Sequence, residues 1–170
     1  WDGATFDGPP HDREYFQLHM QALANYYSSV SHGRLAIEYE VAPEADADAF
    51  VLPQDMGYYH DYSDAQVWYV EQVERFTRDA FAVADSSGTI DFSEYDGYVL
   101  FHAGADWQSD IYYDTPYDLP SAHISLGDSI SVNGGEHAVW DAALMPQSST
   151  QDGLTFVLNG TLAHEVAHVL

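Results

Sequence analysis

The sequence predicts an α+β fold in which a mixed, twisted sheet packs against helices. Two long segments have the 3.6-residue apolar period of helices, and a third such segment closes the chain. Short apolar segments of strand character lie between them. With 170 residues, of which 46% are hydrophobic and 15% aromatic, the chain is long enough to bury the core of a single domain.

The first two predicted helices are amphipathic. The first is expected over 12–31, with Asp12 as its N-cap and Gly33 beyond its end. The second opens at the capping-box sequence Ser63-Asp64-Ala65-Gln66 and continues to about Ala84. Its apolar side recurs at helical spacing, whereas the Glu and Arg residues on its other side are four apart.

The strand predictions rest on alternation and on short apolar runs. Residues 35–41 alternate most clearly, and residues 98–102 form a short apolar run that ends at His102. That histidine could face a functional site or pack in the core. Asn133-Gly134-Gly135 predicts a turn between the later strands, which are expected at 122–126, 129–132 and 138–144.

The chain is strongly acidic, with 28 Asp and Glu against 4 Lys and Arg and a formal net charge of −24. Such a surface repels nucleic acid and anionic membranes, so neither is expected as a partner. The sequence contains no Cys, which excludes disulfides and thiol chemistry, and no apolar run of membrane-span length. High acidity is typical of calcium binding, of a salty environment or simply of a soluble surface.

The chain closes on His164-Glu165-Val166-Ala167-His168, an H-E-x-x-H motif. On a helix, positions i and i+4 share one face, so the two histidines can hold one Zn²⁺. Glu165 can reach a water on that ion without binding the metal itself. The same helix has an apolar stripe that can be buried, made of Leu158, Leu162, Val166 and Val169.

Three upstream segments accompany this motif in a fixed order: Asp91-Phe92-Ser93-Glu94-Tyr95-Asp96, then His102-Ala103-Gly104, then Met145-Pro146-Gln147. With the motif, they resemble the immune inhibitor A-like secreted zinc metallopeptidases of bacteria over roughly residues 34–170. The resemblance implies a zincin catalytic domain outside the cell that hydrolyses peptide bonds of extracellular proteins. It also implies that His164 and His168 bind zinc and that Glu165 is the general base.

The domain is expected to be incomplete. Residues 1–10 are turn-rich and predict a lead-in segment, and residues 11–170 predict the N-terminal part of one catalytic domain. Zinc hydrolases of this type use three protein ligands. No upstream residue stands out as the third, so that ligand is expected after Leu170.

Two further kinds of site are candidates. Hard oxygen ligands for Ca²⁺ are offered by a segment that nearly fits an EF-hand loop (Asp85, Asp91 and Glu94) and by an acidic loop (Asp106 and Asp110). The strand before the motif helix is the candidate edge for substrate pairing, through Val139, Trp140 and Ala142. The alternative function is a non-catalytic, acidic, calcium-binding surface domain whose H-E-x-x-H motif is accidental or inactive.

Overall fold

The computed structural model describes residues 11–44, 49–60, 69–115, 117–148, 150–152, 154–155 and 158–170. These residues confirm the α+β class, with helices on a three-stranded mixed sheet and a separate two-stranded sheet. The predicted lead-in at 1–10 and the capping box at 63–66 lie outside them. The helices are α1 (Arg13–Val30), α2 (Met56–Tyr59), α3 (Tyr69–Ser86) and α4 (Leu158–Val169). The strands are β1 (Val99–His102), β2 (Ala122–Val132), β3 (His137–Pro146), β4 (Thr150–Gln151) and β5 (Leu154–Thr155).

The bounds and ends of helix α1 agree closely with their prediction, whereas its buried residues are Met20 and Leu23 and the predicted stripe residues Leu18, Tyr26 and Val30 are exposed. The side chain of Asp12 accepts a hydrogen bond of 2.9 Å from the backbone N–H of Tyr15, so Asp12 is the N-cap. At the other end, the N–H of Gly33 donates to the carbonyl of Ser28 at 2.7 Å. Gly33 has a φ of +74°, a conformation that glycine adopts without steric cost and that terminates the helix.

The prediction of a strand at 35–41 is wrong. Within the part of the chain that the structure describes, this segment pairs with no other strand. The alternation nevertheless has a physical meaning, because Ile37, Tyr39 and Val41 are half-buried while the residues between them are exposed. One side of this unpaired segment therefore packs against the apolar cluster formed by α1, β3 and α4.

The main sheet has the order β1–β3–β2, so β3 is its central strand. It pairs in parallel with β1 and antiparallel with β2. The prediction that β3 offers a free edge is wrong for residues 143–146, which β1 covers. Val139 and Ala142 pair with β2 but lie before the part of β3 that pairs with β1, so a free edge through Val139, Trp140 and Ala142 stays a prediction. Among the described residues β2 also forms an edge. Sequence proximity to α4 does not determine which strand lies at the edge.

The second half of the central strand β3, residues 142–146, is buried on both faces. Ala142 and Leu144 pack in a cluster with α3, whereas Ala143 and Met145 pack in a second cluster with α4 and α1. Because successive side chains of a strand point to opposite faces, one apolar run serves both layers. The described residues thus form a layer of α3, the sheet, and a layer of α4 with α1. No described helix is both long enough and apolar enough to cross a membrane.

Strand β2 is one irregular strand where two short ones were predicted. Its register on β3 shifts between Ser125 and Ile130, which marks a bulge. Two side chains of α3 form hydrogen bonds with backbone groups of the bulge. Glu74 accepts from the N–H of Gly127 at 2.9 Å, and Arg78 donates to the carbonyl of Asp128 at 2.9 Å. The predicted turn at Asn133–Gly135 follows directly and is confirmed.

Candidate metal centre

Helix α4 is held against the sheet by the apolar stripe that the sequence predicts. Leu158, Leu162 and Val166 are buried, and Val169 is half-buried against the same cluster. Leu162 is completely inaccessible to solvent and lies in the cluster that contains Ala143 of β3. This packing fixes the rotation of α4 about its axis, and therefore the direction of its polar face.

That polar face carries the motif. His164 and His168 are exposed, and Glu165 is half-buried between the polar and apolar faces. One potential ligand atom from each of the three residues lies within 4.8 Å of those of the other two. The two imidazole rings have centroids 5.1 Å apart and planes inclined at 77°. Two imidazoles and a carboxylate therefore lie close together on a solvent-accessible face of α4, where a metal ion and a substrate could reach them.

Two polar contacts join α1 to α4, and a third joins α1 to the residue after β3. The hydroxyl of Tyr27 donates to the carbonyl of Ala163 at 2.7 Å, and His19 Nδ1 lies 2.7 Å from Asn159 Oδ1. The hydroxyl of Tyr15 donates to the carbonyl of Gln147, just after β3, at 2.8 Å. Sequence reasoning missed these residues, since aromatic residues on an amphipathic helix predict burial without specifying a partner.

A third histidine lies beside the motif. His123 of β2 stacks on His168, with ring centroids 5.5 Å apart and planes inclined at 27°. Its Nε2 is buried and has no hydrogen-bond partner, and Asp141 Oδ2 lies 3.9 Å from it. His123 lies outside the three-residue cluster defined above. His123 and Ile124 are successive residues of β2, so their side chains face opposite sides of the sheet.

The C-terminal turn of α4 also contacts the segment that carries the D-F-S-E-Y-D sequence. A Cβ on Gly97 would lie 2.5 Å from Cγ1 of Val169. We predict that Gly97→Ala destabilises the protein by about 2 kcal/mol, because the branched valine side chain has little freedom to move. Chemical denaturation measures this free energy of unfolding.

Val169→Ala is the matched control for that clash. It removes the atom that the new Cβ would meet, so the double variant should be about 1 kcal/mol more stable than the sum of the two single effects. Strictly additive effects would show that Gly97 and Val169 are not in contact.

His102 belongs to the core and not to the metal centre. It is 3% exposed, its ring meets that of Phe76 on the α3 side of the sheet, and its Nδ1 lies 2.9 Å from the carbonyl oxygen of Ala103. Burial lowers the pKa of His102 from 6.5 to about 4. His102 therefore packs in the core and does not face the candidate metal centre.

This buried imidazole makes stability depend on pH. Between pH 6.5 and about 4 the unfolded chain binds a proton at His102 that the folded chain does not, so stability is lost as pH falls through that window. The expected loss is about 3 kcal/mol. Urea denaturation at pH 7 and pH 4.5 should give a smaller difference for His102→Asn than for the wild type. The exposed-site control His32→Asn should keep the wild-type difference, and equal differences in all three proteins would contradict the prediction.

The first group of calcium candidates is not assembled as a metal site. Asp85 accepts from the N–H of Asn133 at 2.8 Å, and Asp91 accepts from the Asn133 amide at 2.7 Å and from Ser93. These hydrogen bonds, those from Ser93 above all, lower the pKa of Asp91. Glu94 is exposed on a short 3₁₀ turn. The residues tie the end of α3 to the turn after β2 and do not converge on a common point.

The two residues of the second group of calcium candidates, Asp106 and Asp110, have different surroundings. Asp106 is buried and accepts from Ser121 Oγ at 2.5 Å and from Ser109, so it stabilises its own loop. Asp110 instead lies with Asp114 and Asp152, with ligand atoms within 4.8 Å of one another. Burial alone would raise the pKa of Asp110, but hydrogen bonds from Thr115 and from neighbouring backbone N–H groups outweigh it and hold the pKa below its usual value. Asp152 was not foreseen, because it follows β3 and is distant in sequence.

No protein-family model, curated protein or solved structure matches this chain.

Proposed function

We propose that this chain carries the catalytic centre of a secreted zinc endopeptidase of the zincin type, as the resemblance to immune inhibitor A-like peptidases implies. The observation that carries the proposal is the assembly of His164, Glu165 and His168 on one exposed face of α4, with ligand atoms within 4.8 Å. The proposed substrates are peptide bonds of extracellular proteins.

The donor set fits zinc. Imidazole nitrogens bind Zn²⁺ readily, and two of them on successive turns of one rigid helix need little reorganisation to share an ion. The helix is buried along its apolar stripe, so the histidines project from a fixed support. Bound zinc supplies Lewis acidity, which lowers the pKa of a coordinated water towards about 7 and polarises a peptide carbonyl.

Glu165 is the proposed proton carrier. Its half-buried position beside His164 brings the carboxylate near the ion without making it a necessary ligand. The carboxylate accepts a proton from the attacking water and then donates it to the nitrogen of the leaving amine. The carboxyl group thus returns to its starting state at the end of the reaction.

The proposed substrate-pairing edge is β2. It is an edge strand among the described residues, and it contacts α4. An extended peptide can add to such an edge through main-chain hydrogen bonds, which suits a peptidase that accepts many sequences. The first residues of β2, before the bulge, are the ones beside the motif, since His123 reaches His168.

Metal analysis and a peptidase assay test the proposal together. The purified protein should bind one zinc per chain, hydrolyse an unfolded protein substrate, lose that activity with a chelator and regain it with added zinc. A protein that binds zinc at the motif but hydrolyses no peptide bond, either as this chain or within a longer one, would contradict the endopeptidase proposal.

One observation favours the alternative of an acidic calcium-binding domain. Asp110, Asp114 and Asp152 bring together three carboxylates from two segments, one buried, one exposed and one half-buried, and carboxylate oxygens are the ligands that Ca²⁺ prefers. Elemental analysis separates the two functions, because calcium without zinc favours the alternative and zinc at the motif favours the peptidase.

A further inference from the structure

The described residues of the motif offer two imidazole ligands, whereas zinc hydrolases hold their ion with three protein ligands. We propose that His123 of β2 is the third zinc ligand of this chain. The inference rests on the proposed function, since it concerns the same ion, and it names a ligand that lies upstream of the motif in sequence.

The sheet directs His123 towards α4. His123 pairs with Ala143 across the antiparallel strands, and paired residues project to the same face. Ala143 belongs to the cluster that contains Leu162 and Val166 of α4. The side chain of His123 therefore lies on the face of the sheet that the metal helix covers, near the end of an edge strand.

The separations of the rings suit a shared ion, whereas the stacked orientation of His123 on His168 must change, because a ring nitrogen binds a metal in the plane of its ring. Two imidazoles bound to one zinc, with metal–nitrogen distances of about 2.0–2.1 Å and tetrahedral angles, have ring centroids about 5 Å apart. His168 lies 5.1 Å from His164 and 5.5 Å from His123 by the same measure. His168 thus has one histidine neighbour on its own helix and one on the sheet, each at a separation suitable for coordination.

The state of the His123 nitrogen points the same way. Nε2 is buried without a hydrogen-bond partner, which is unfavourable for a polar atom unless another group satisfies it. Asp141 Oδ2, at 3.9 Å, is beyond hydrogen-bond distance but adds a negative charge next to the proposed cation. His123 is not among the residues whose ligand atoms lie within 4.8 Å of one another at the motif, so its ring must turn before the three histidines can share an ion. That turn breaks no hydrogen bond at Nε2.

Zinc affinity, measured by competition with a chromophoric chelator, tests the inference. Loss of a group that only hydrogen-bonds to a metal ligand weakens metal binding by about 10–100-fold. Because His123 is proposed as a ligand itself, we expect His123→Ala and His123→Gln to weaken zinc binding by at least about 100-fold. His32→Asn, which changes an exposed histidine at the end of α1, should leave the affinity unchanged. Circular dichroism of each metal-free variant checks that it folds.

Cobalt(II) gives a second readout that does not depend on activity. Four-coordinate cobalt absorbs visible light more strongly than cobalt with five or six ligands, so His123→Gln should lower the absorption of the bound ion. Unchanged zinc affinity and an unchanged cobalt spectrum in folded His123 variants would overturn the inference and leave the proposed function intact. A wild-type protein that binds no zinc, or a His164→Ala variant that binds it normally, would contradict the proposed function itself.

Discussion

Replacing Glu165 with Gln is expected to slow peptide hydrolysis by about 10³-fold while leaving zinc bound, because the amide cannot accept the proton of the attacking water. The change is nearly isosteric, and it leaves both histidines of the motif in place. Steady-state kinetics on a peptide substrate measure the loss, and elemental analysis measures the retained zinc.

The matched control for that experiment is Glu38→Gln, which removes one negative charge from an exposed position. It should retain wild-type activity, which excludes the net charge of the protein as the cause. A Glu165→Gln variant that hydrolyses peptides at the wild-type rate would remove Glu165 from the mechanism. A variant that loses both zinc and activity would instead make the carboxylate a ligand.

The second large effect concerns the packing of α4, the helix that carries the H-E-x-x-H motif. Leu162→Ala is expected to lower the free energy of unfolding by about 3 kcal/mol, because it leaves a cavity between α4 and the sheet. Leu162 is 0% exposed and shares its cluster with Ala143 and Met145. Denaturation should be followed in metal-free buffer, since zinc that binds only the folded state would add its own stabilisation.

Leu18→Ala provides the same chemical change on an exposed helical surface. Leu18 is 64% exposed on α1, so its truncation should change the free energy of unfolding by less than about 0.5 kcal/mol. If the two variants were equally stable, α4 would not be packed on the sheet through Leu162.

Features that depend on local sequence could be predicted well. The N-cap at Asp12, the glycine after α1 and the turn at Asn133–Gly135 each follow from the conformational preferences of one or a few residues. The polar and apolar faces of α4 follow from the same helical period that places His164 and His168 together.

Features that depend on pairing between distant segments could not be predicted from the sequence. The alternation at 35–41 is real, but alternation reports that one side is buried and not that a neighbouring strand exists. The central position of β3 results from its pairing with both β1 and β2, and no property of β3 alone distinguishes it from an edge strand. The apolar run at 142–145 indicates burial on both faces, but it does not specify which strands lie on either side.

The same limit on sequence-based prediction applies to the candidate metal centre. The motif residues are four apart in sequence and could be found directly, whereas His123 reaches His168 only because β2 and α4 share a face of the sheet. Asp152 joins Asp110 and Asp114 for a similar reason. A ligand set assembled from several elements has no sequence spacing by which it could be recognised.

The contacts between α1 and α4 have a consequence for the order of folding. Tyr27 and Ala163 are separated by 136 residues, and His19 and Asn159 by 140. Closing so long a loop costs more conformational entropy than forming a local turn, and contacts of high sequence separation slow folding. The contacts that hold the histidine-bearing helix to α1 are therefore expected to form late in folding. Under the proposed function, a zinc ion bound before that stage would be held by a helix that still lacks its α1 contacts.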